Sequence, residues 1–234
     1  MDHSTKKIEY RVPVKTQIIR GLLRPVFRVI FRFLSRIEIT GRENVPTSGA
    51  YLIAINHVSI YDPPFLLAFW PVAPEAAGAI EIWERPGQNF LARLYRGIPV
   101  HRGSYDRELI EKLVKVLKSG RPLLIAPEGG RTHQPGLRKG LPGVAYLADK
   151  AEVPVIPVGI YGATDDFLSR ALRFQRPILE MNIGKAFKLP RILGTGEARR
   201  AARQANSDLI MQHIAMLLPI DYQGLYRINA SLQT

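Results

Sequence analysis

The 234-residue chain contains no cysteine. That excludes disulfides, thiolate metal ligation, a cysteine nucleophile and thiol-based redox control, and it is compatible with a reducing compartment. Acidic residues are scarce beside basic ones, 20 against 33, and the resulting charge of +13 calls for an anionic partner: lipid headgroups, nucleic acid or an acidic carrier. Long apolar runs are also missing. Nothing approaches the roughly 20 consecutive apolar residues of a membrane-spanning helix, and no secretory signal is evident in residues 1 to about 12, a polar tip expected to fray. The chain shows no internal repeat, low-complexity tract or linker to a second domain. His101, His133 and His213 lack partners at metal-ligand spacing, so no metal and no bound cofactor is expected, and His3 lies in the polar tip.

What is present suits one α/β domain, with 46% hydrophobic residues and enough length for a sizeable core. From Val14 to Arg36, arginine recurs every fourth residue at Arg20, Arg24, Arg28, Arg32 and Arg36, with apolar pairs between. Each step of four advances a helix by about 400°, so the five arginines cover an arc of about 160° and leave the other side apolar. The pattern predicts a basic amphipathic helix, or a pair hinged at Pro25. Its expected place is a membrane interface, apolar side down and guanidinium groups among lipid phosphates; the alternative is a helix packed on the domain with a solvated basic face. Residues 1–36 are read as tip and membrane-interface helix, and 37–234 as the catalytic domain.

Strands are expected at Ile37–Thr40, Tyr51–Ile55, Ala77–Trp83, Ile98–Arg102, Pro122–Ala126, Val155–Tyr161 and Leu179–Phe187. Helices are expected after Asp62, around Asn89–Tyr95, and over Asp106–Lys118, Gly140–Lys150 and Glu197–Leu218, with a basic connection over 163–176. The strand Tyr51–Ile55 runs into Asn56-His57-Val58-Ser59-Ile60-Tyr61-Asp62, followed by Pro63 and Pro64. His57 would thus stand at the mouth of a strand-to-helix loop, where open α/β sheets place their chemistry. A neutral imidazole can take a proton from an alcohol, and a carboxylate on its other nitrogen would fix the tautomer. The residues alone also permit a purely structural reading, with Asp62 capping a helix that begins at proline.

This stretch resembles the NHxxxxD motif of the glycerolipid acyltransferases, of which the lysophosphatidate acyltransferases are members, with His57 and Asp62 on its defining positions and Ser59 inside it. Three further blocks are similar to the family's and stand in its order: Gly97-Ile98-Pro99-Val100-His101-Arg102-Gly103, Ala126-Pro127-Glu128-Gly129-Gly130-Arg131-Thr132, and Val153-Pro154-Val155-Ile156-Pro157-Val158. The likeness runs from about residue 37 to the C-terminus, where Leu217-Leu218-Pro219 and Tyr222 to Tyr226 match the closing segment. Pro99, Ala126 and Gly130 depart from the aromatic, phenylalanine and hydroxyl residues usual at those places.

The resemblance implies a single domain with a mostly parallel or mixed sheet flanked by helices. It implies that His57, oriented by Asp62, is the catalytic base for acyl transfer from acyl-CoA or acyl carrier protein to a lysophospholipid hydroxyl, most simply that of 1-acyl-glycerol-3-phosphate, giving phosphatidate. It also implies that Arg102, Glu128, Gly129 and Arg131 bind the acceptor, with Lys139 a further phosphate ligand near a helix start. The expected setting is peripheral, on the anionic cytoplasmic face of a membrane. Other lysolipid acceptors remain open. A thioesterase would use the same pocket with water as acceptor, but a Ser59-His57-Asp62 triad lacks the G-x-S-x-G elbow. Nucleic-acid binding rests on charge alone, since no finger, RNP or helix-turn-helix signature is present. A lipid carrier without catalysis would not need His57 and Asp62.

Overall fold

The computed structural model describes residues 10–103 and 106–227. His3 and most of the polar tip lie outside the described residues. In chain order the elements are α1 (Val14–Leu34), β1 (Arg36–Thr40), β2 (Leu52–Ile55), α2 (Asp62–Phe69), β3 (Glu75–Ala79), α3 (Gln88–Tyr95), β4 (Ile98–Val100), α4 (Arg107–Lys118), β5 (Leu123–Ile125), α5 (Gly143–Ala151), β6 (Val155–Tyr161), α6 (Phe167–Leu172), β7 (Ile178–Ile183) and α7 (Gly196–Ala215). The seven strands form one sheet in the order β1-β7-β6-β2-β5-β3-β4. Every pairing is parallel except β6 with β7, so the sheet is mixed.

The sheet's centre is apolar on both sides, as a strand covered by helices on both faces requires. Leu52 and Ala54 join a core with α4, α5 and α7, whereas Tyr51, Ile53 and Ile55 join a second core with α1, α2 and α6. This period-two split makes a three-layer α/β/α domain. The chain leaves β2 toward α2 on one face and leaves the neighbouring β5 toward α5 on the other. Between two parallel strands whose connections part to opposite faces, the loops splay and a crevice opens at the carboxyl ends.

The N-terminal segment forms the expected helix, a single one with Pro25 inside it and not a hinged pair. It differs from expectation in which way its arginines point. Arg20, Arg24 and Arg28 face the protein rather than lipid phosphates, while Arg32 and Arg36 are exposed. Arg20 is 1% exposed and pairs through both terminal nitrogens with Glu75, at 2.7 and 2.8 Å. Arg24 donates to the carbonyls of Leu67 and Trp70, and Arg28 to that of Ala68. These carbonyls end α2, and cations are favoured at a helix C-terminus. What faces outward is the apolar row Val14, Ile18, Leu22, Val26, Val29 and Phe33. Two smaller differences matter later. The expected strand Ala77–Trp83 stops at Ala79, where Ile80–Glu84 tighten into a 3-10 turn, and the expected connection 163–176 contains α6.

Candidate active site

The buried strand β2 ends at Ile55, and Asn56 extends its pairing by side chain. The Asn56 amide donates to the Ile160 carbonyl and accepts the Ile160 N–H, each at 2.7 Å. An asparagine side chain offers both N–H donors and a carbonyl acceptor, so with one of each engaged it acts here as one more rung of the β2–β6 ladder. The following residue is thereby delivered to a fixed point above the sheet.

His57 Nδ1 lies 3.1 Å from Asp62 Oδ2, and 14% of the His57 side chain is exposed. The same Asp62 oxygen accepts the backbone N–H groups of Val58 and Ser59, at 2.8 and 2.7 Å. Asp62 therefore folds the loop back on itself while holding the imidazole. Burial pushes its carboxyl above the ordinary range, and the hydrogen bonds from His57, Ser59 and Val58 oppose that push. With Nδ1 engaged, Nε2 is the nitrogen left to accept a proton. Ser59 is buried, and its hydroxyl accepts the Tyr61 N–H at 3.0 Å, a local turn contact.

The loop after β5 is zipped onto this one. Thr132 N–H donates to the His57 carbonyl at 2.9 Å and His133 N–H to the Val58 carbonyl at 3.2 Å. Between the loops sits the Glu128 carboxylate. One oxygen accepts the His57 N–H at 3.2 Å and the other the Arg138 N–H at 2.9 Å. Burial raises the Glu128 carboxyl, while those two amides lower it. Gly129 holds φ at 69°, a left-handed turn that suits glycine, and an added Cβ would meet Leu141 at 2.5 Å.

Arg102 arrives from β4 and donates to the Gly129 carbonyl at 3.1 Å, while its other terminal nitrogen pairs with Glu81 at 2.8 Å. Arg138 donates to the carbonyls of Gly130 and Arg131. Gly130 separates the two guanidinium groups: a Cβ there would stand 2.6 Å from Arg102 and 3.6 Å from Arg138. Arg131 is partly desolvated, which lowers its pKa, as does the like charge of Arg85; Asp165 and Asp62 act the other way.

The structure thus brings His57, Asp62, Glu128, Gly129, Arg102 and Arg131 together on the adjoining segments that follow β2, β4 and β5. Lys139 is exposed and stands four residues before the start of α5. Sequence reasoning missed the roles of Asn56 and Arg138. It also missed the strap formed by the closing segment, where Leu137 exchanges backbone hydrogen bonds with Tyr222 and Leu225. The polar Asn56 after a fully apolar strand was the one available signal. Among the described residues, no group of His, Asp and Glu is arranged to hold a metal ion.

An imidazole backed by a buried carboxylate can remove a proton from a hydroxyl, and guanidinium groups converging beside it can hold an anionic head. Comparison with known proteins points the same way. The sequence profile of the family described as Acyltransferase matches residues 36–161. A lyso-ornithine lipid O-acyltransferase of Pseudomonas aeruginosa is 32% identical over 179 residues, covering 76% of this chain and 62% of that protein. A 1-acyl-sn-glycerol-3-phosphate acyltransferase of Borreliella burgdorferi is 25% identical over 139 residues, covering 58% and 56%. The chain spans little more than half the length of several such curated relatives. The crystal structure of the 1-acyl-sn-glycerophosphate acyltransferase of Thermotoga maritima shares the fold, with a TM-score of 0.59 at 20% identity over 83% of this chain and 79% of that one.

Proposed function

The chain belongs to the acyltransferase family, and from that premise we propose that it transfers a fatty acyl group from a thioester donor, acyl-CoA or acyl carrier protein, to the free hydroxyl of a lysolipid. The observation that carries this reading is the His57–Asp62 pair at the crevice, joined through Glu128 to a cluster of arginines. His57 Nε2 takes the hydroxyl proton as the oxygen attacks the thioester carbonyl. The C–S bond breaks, the thiolate leaves, and the imidazolium returns the proton to sulfur. Nothing in this sequence requires an acyl-enzyme. Holding both substrates in line removes much of the entropic barrier.

The acceptor's anionic head is assigned to Arg102, Arg131 and Arg138, with Lys139 at the rim. Glu128 contributes by fixing loops, since both of its oxygens are taken by backbone amides. For the acceptor we take 1-acyl-glycerol-3-phosphate first, on the resemblance of the four blocks. A lysolipid with an ornithine head is the second reading, supported by the relative that is 32% identical over 76% of the chain.

The setting follows from α1. Its outward apolar row, with Lys15 and Arg32 exposed beside it, suits a helix lying in an anionic membrane interface. Among the described residues no helix is long and apolar enough to cross a membrane, and the proposed attachment is peripheral. The test presents lysophosphatidate and lyso-ornithine lipid in parallel, each with both donors, and identifies the lipid product by mass spectrometry. A new diacyl product from one acceptor, with one thiol released per acyl group, supports the reading. Thiol release indifferent to every acceptor would replace it with a thioesterase.

A further inference from the structure

At the end of α6 the chain exposes large apolar groups for which the core has no use. Phe167 and Ala171 point inward and are buried, whereas Leu172 is 65% and Phe174 81% exposed. Phe174 adopts φ of 59°, a region that large side chains avoid and where glycine is the usual choice. The turn is nonetheless fastened. Phe174 N–H donates to Ala171 at 3.0 Å and Gln175 N–H to Arg170 at 3.1 Å. Arg176, also left-handed at φ of 46°, donates to the carbonyls of Arg32 and Ser35 at 3.0 and 3.2 Å, tying the turn to the end of α1. These bonds hold Phe174 in a conformation that costs energy, with its ring exposed.

Its surroundings identify what it is presented to. Phe33, 70% exposed at the end of the outward row of α1, lines a groove of about 250 Å³ together with Arg32, Ala171, Phe174 and Arg176. Phe174 is therefore continuous with the apolar face of α1. Residues 170–176 hold three arginines and no acid. Arg170 lies 3.9 Å from Asp166, but among the described residues no carboxylate pairs with Arg173 or Arg176. An apolar tip ringed by guanidinium groups matches an anionic lipid surface, with the ring among acyl chains and the cations at phosphate level.

We propose that the α6–β7 turn, through Phe174 and Leu172, is a second membrane-inserting element beside α1. This rests on the interfacial reading of α1 and extends it. A single helix in an interface can roll about its own axis, whereas a second contact off that axis fixes the roll. The fixed body includes the candidate site, because Phe167 on α6 packs against Tyr61, next to Asp62, with ring centroids 4.9 Å apart.

The absence of cysteine allows a clean test. Phe174→Cys and Val29→Cys, each carrying one environment-sensitive fluorophore, are mixed with phosphatidylcholine vesicles with and without phosphatidylglycerol. Both labels should shift to the blue and be quenched by nitroxides on the acyl chains, more strongly with the anionic lipid. Response at 29 but none at 174 would overturn the second element and leave α1 standing; silence at both would remove both. A shift at 174 without vesicles that grows with protein concentration would mean contact between two copies and would overturn the lipid assignment. Phe174→Ser with Leu172→Ser, which removes no buried side chain, should lower vesicle partitioning about tenfold with an unchanged melting temperature. Unchanged partitioning would contradict the proposal.

Discussion

The Glu128 carboxylate accepts the backbone N–H of His57 at 3.2 Å, and through its second oxygen it ties the candidate base to Arg138, ten residues farther along the chain. A single buried side chain therefore joins the proton-transfer pair to the cationic wall. Glu128→Gln keeps the volume but turns an amide NH₂ toward one of the two N–H groups. Leaving such a buried donor unpaired costs about 1–3 kcal/mol. The variant should melt at lower temperature and lose most of its turnover; an unchanged melting temperature with normal turnover would show that the bridge is dispensable.

Gly130 is predicted to be a size filter. A side chain there would meet Arg102 at 2.6 Å, so Gly130→Thr should displace that guanidinium. Because the displaced group is assigned to the acceptor's head, KM for the acceptor should rise about tenfold or more, an effect of about 1.4 kcal/mol. KM for the thioester donor should move little. Equal changes in both would contradict the assignment.

Removing the outward row of α1 should separate attachment from folding. Ile18→Ser with Leu22→Ser deletes exposed apolar groups while leaving the inward Arg20 and Arg24 contacts in place. Binding to anionic vesicles should fall by tenfold or more, with soluble-state melting unchanged. Undiminished binding would refute attachment through this face.

Acid should loosen α1 through Glu75. Burial pushes the Glu75 carboxyl up, but the hydrogen bonds and charge of Arg20, then Tyr10 and Arg121, outweigh it and bring it below its ordinary value of 4.5. A carboxyl lowered on folding stabilises above its unfolded pKa, and that contribution disappears as pH falls through the folded value. Asp62 and Glu128 are raised and have the opposite slope, so the difference between wild type and Glu75→Gln isolates the Glu75 part. Near neutral pH the variant, which leaves the Arg20 charge buried without its partner, should be less stable by about 3–5 kcal/mol. The deficit should shrink below pH 4.5, and chemical denaturation across pH 3 to 7 reads it directly.

Local pattern was a sound guide wherever one strand or helix settles its own character. The apolar run ending at Ile55, the His57 loop, the proline-started helix at Asp62 and the glycine turn after Glu128 are all where the sequence places them. The orientation of α1 was not legible. A four-residue arginine spacing defines a face, but which way that face points depends on Glu75 and on carbonyls at Leu67, Ala68 and Trp70, about 40 to 55 residues away. The bonds of Glu128 were hidden for a similar reason. Its place in the motif suggests contact with substrate, and the motif gives no sign that its oxygens also accept the amides of His57 and Arg138, a fact of tertiary folding. The run Ala77 to Trp83 is apolar enough for a strand, yet it winds up after Ala79, and Glu81 in that turn reaches Arg102. The α6 segment was hidden among basic residues, because only six residues form the helix and its inward face is just Phe167 and Ala171.

The central claim is that His57 takes the proton from a lipid hydroxyl attacking a thioester. The most direct measurement is acceptor-dependent thiol release from palmitoyl-CoA and from palmitoyl carrier protein, followed with the lipid product for wild type and His57→Ala at equal vesicle occupancy. Release should need the acceptor, yield one acylated lipid per thiol, and fall by about 10²–10⁴-fold in the variant while vesicle binding persists. Turnover retained in His57→Ala would contradict it.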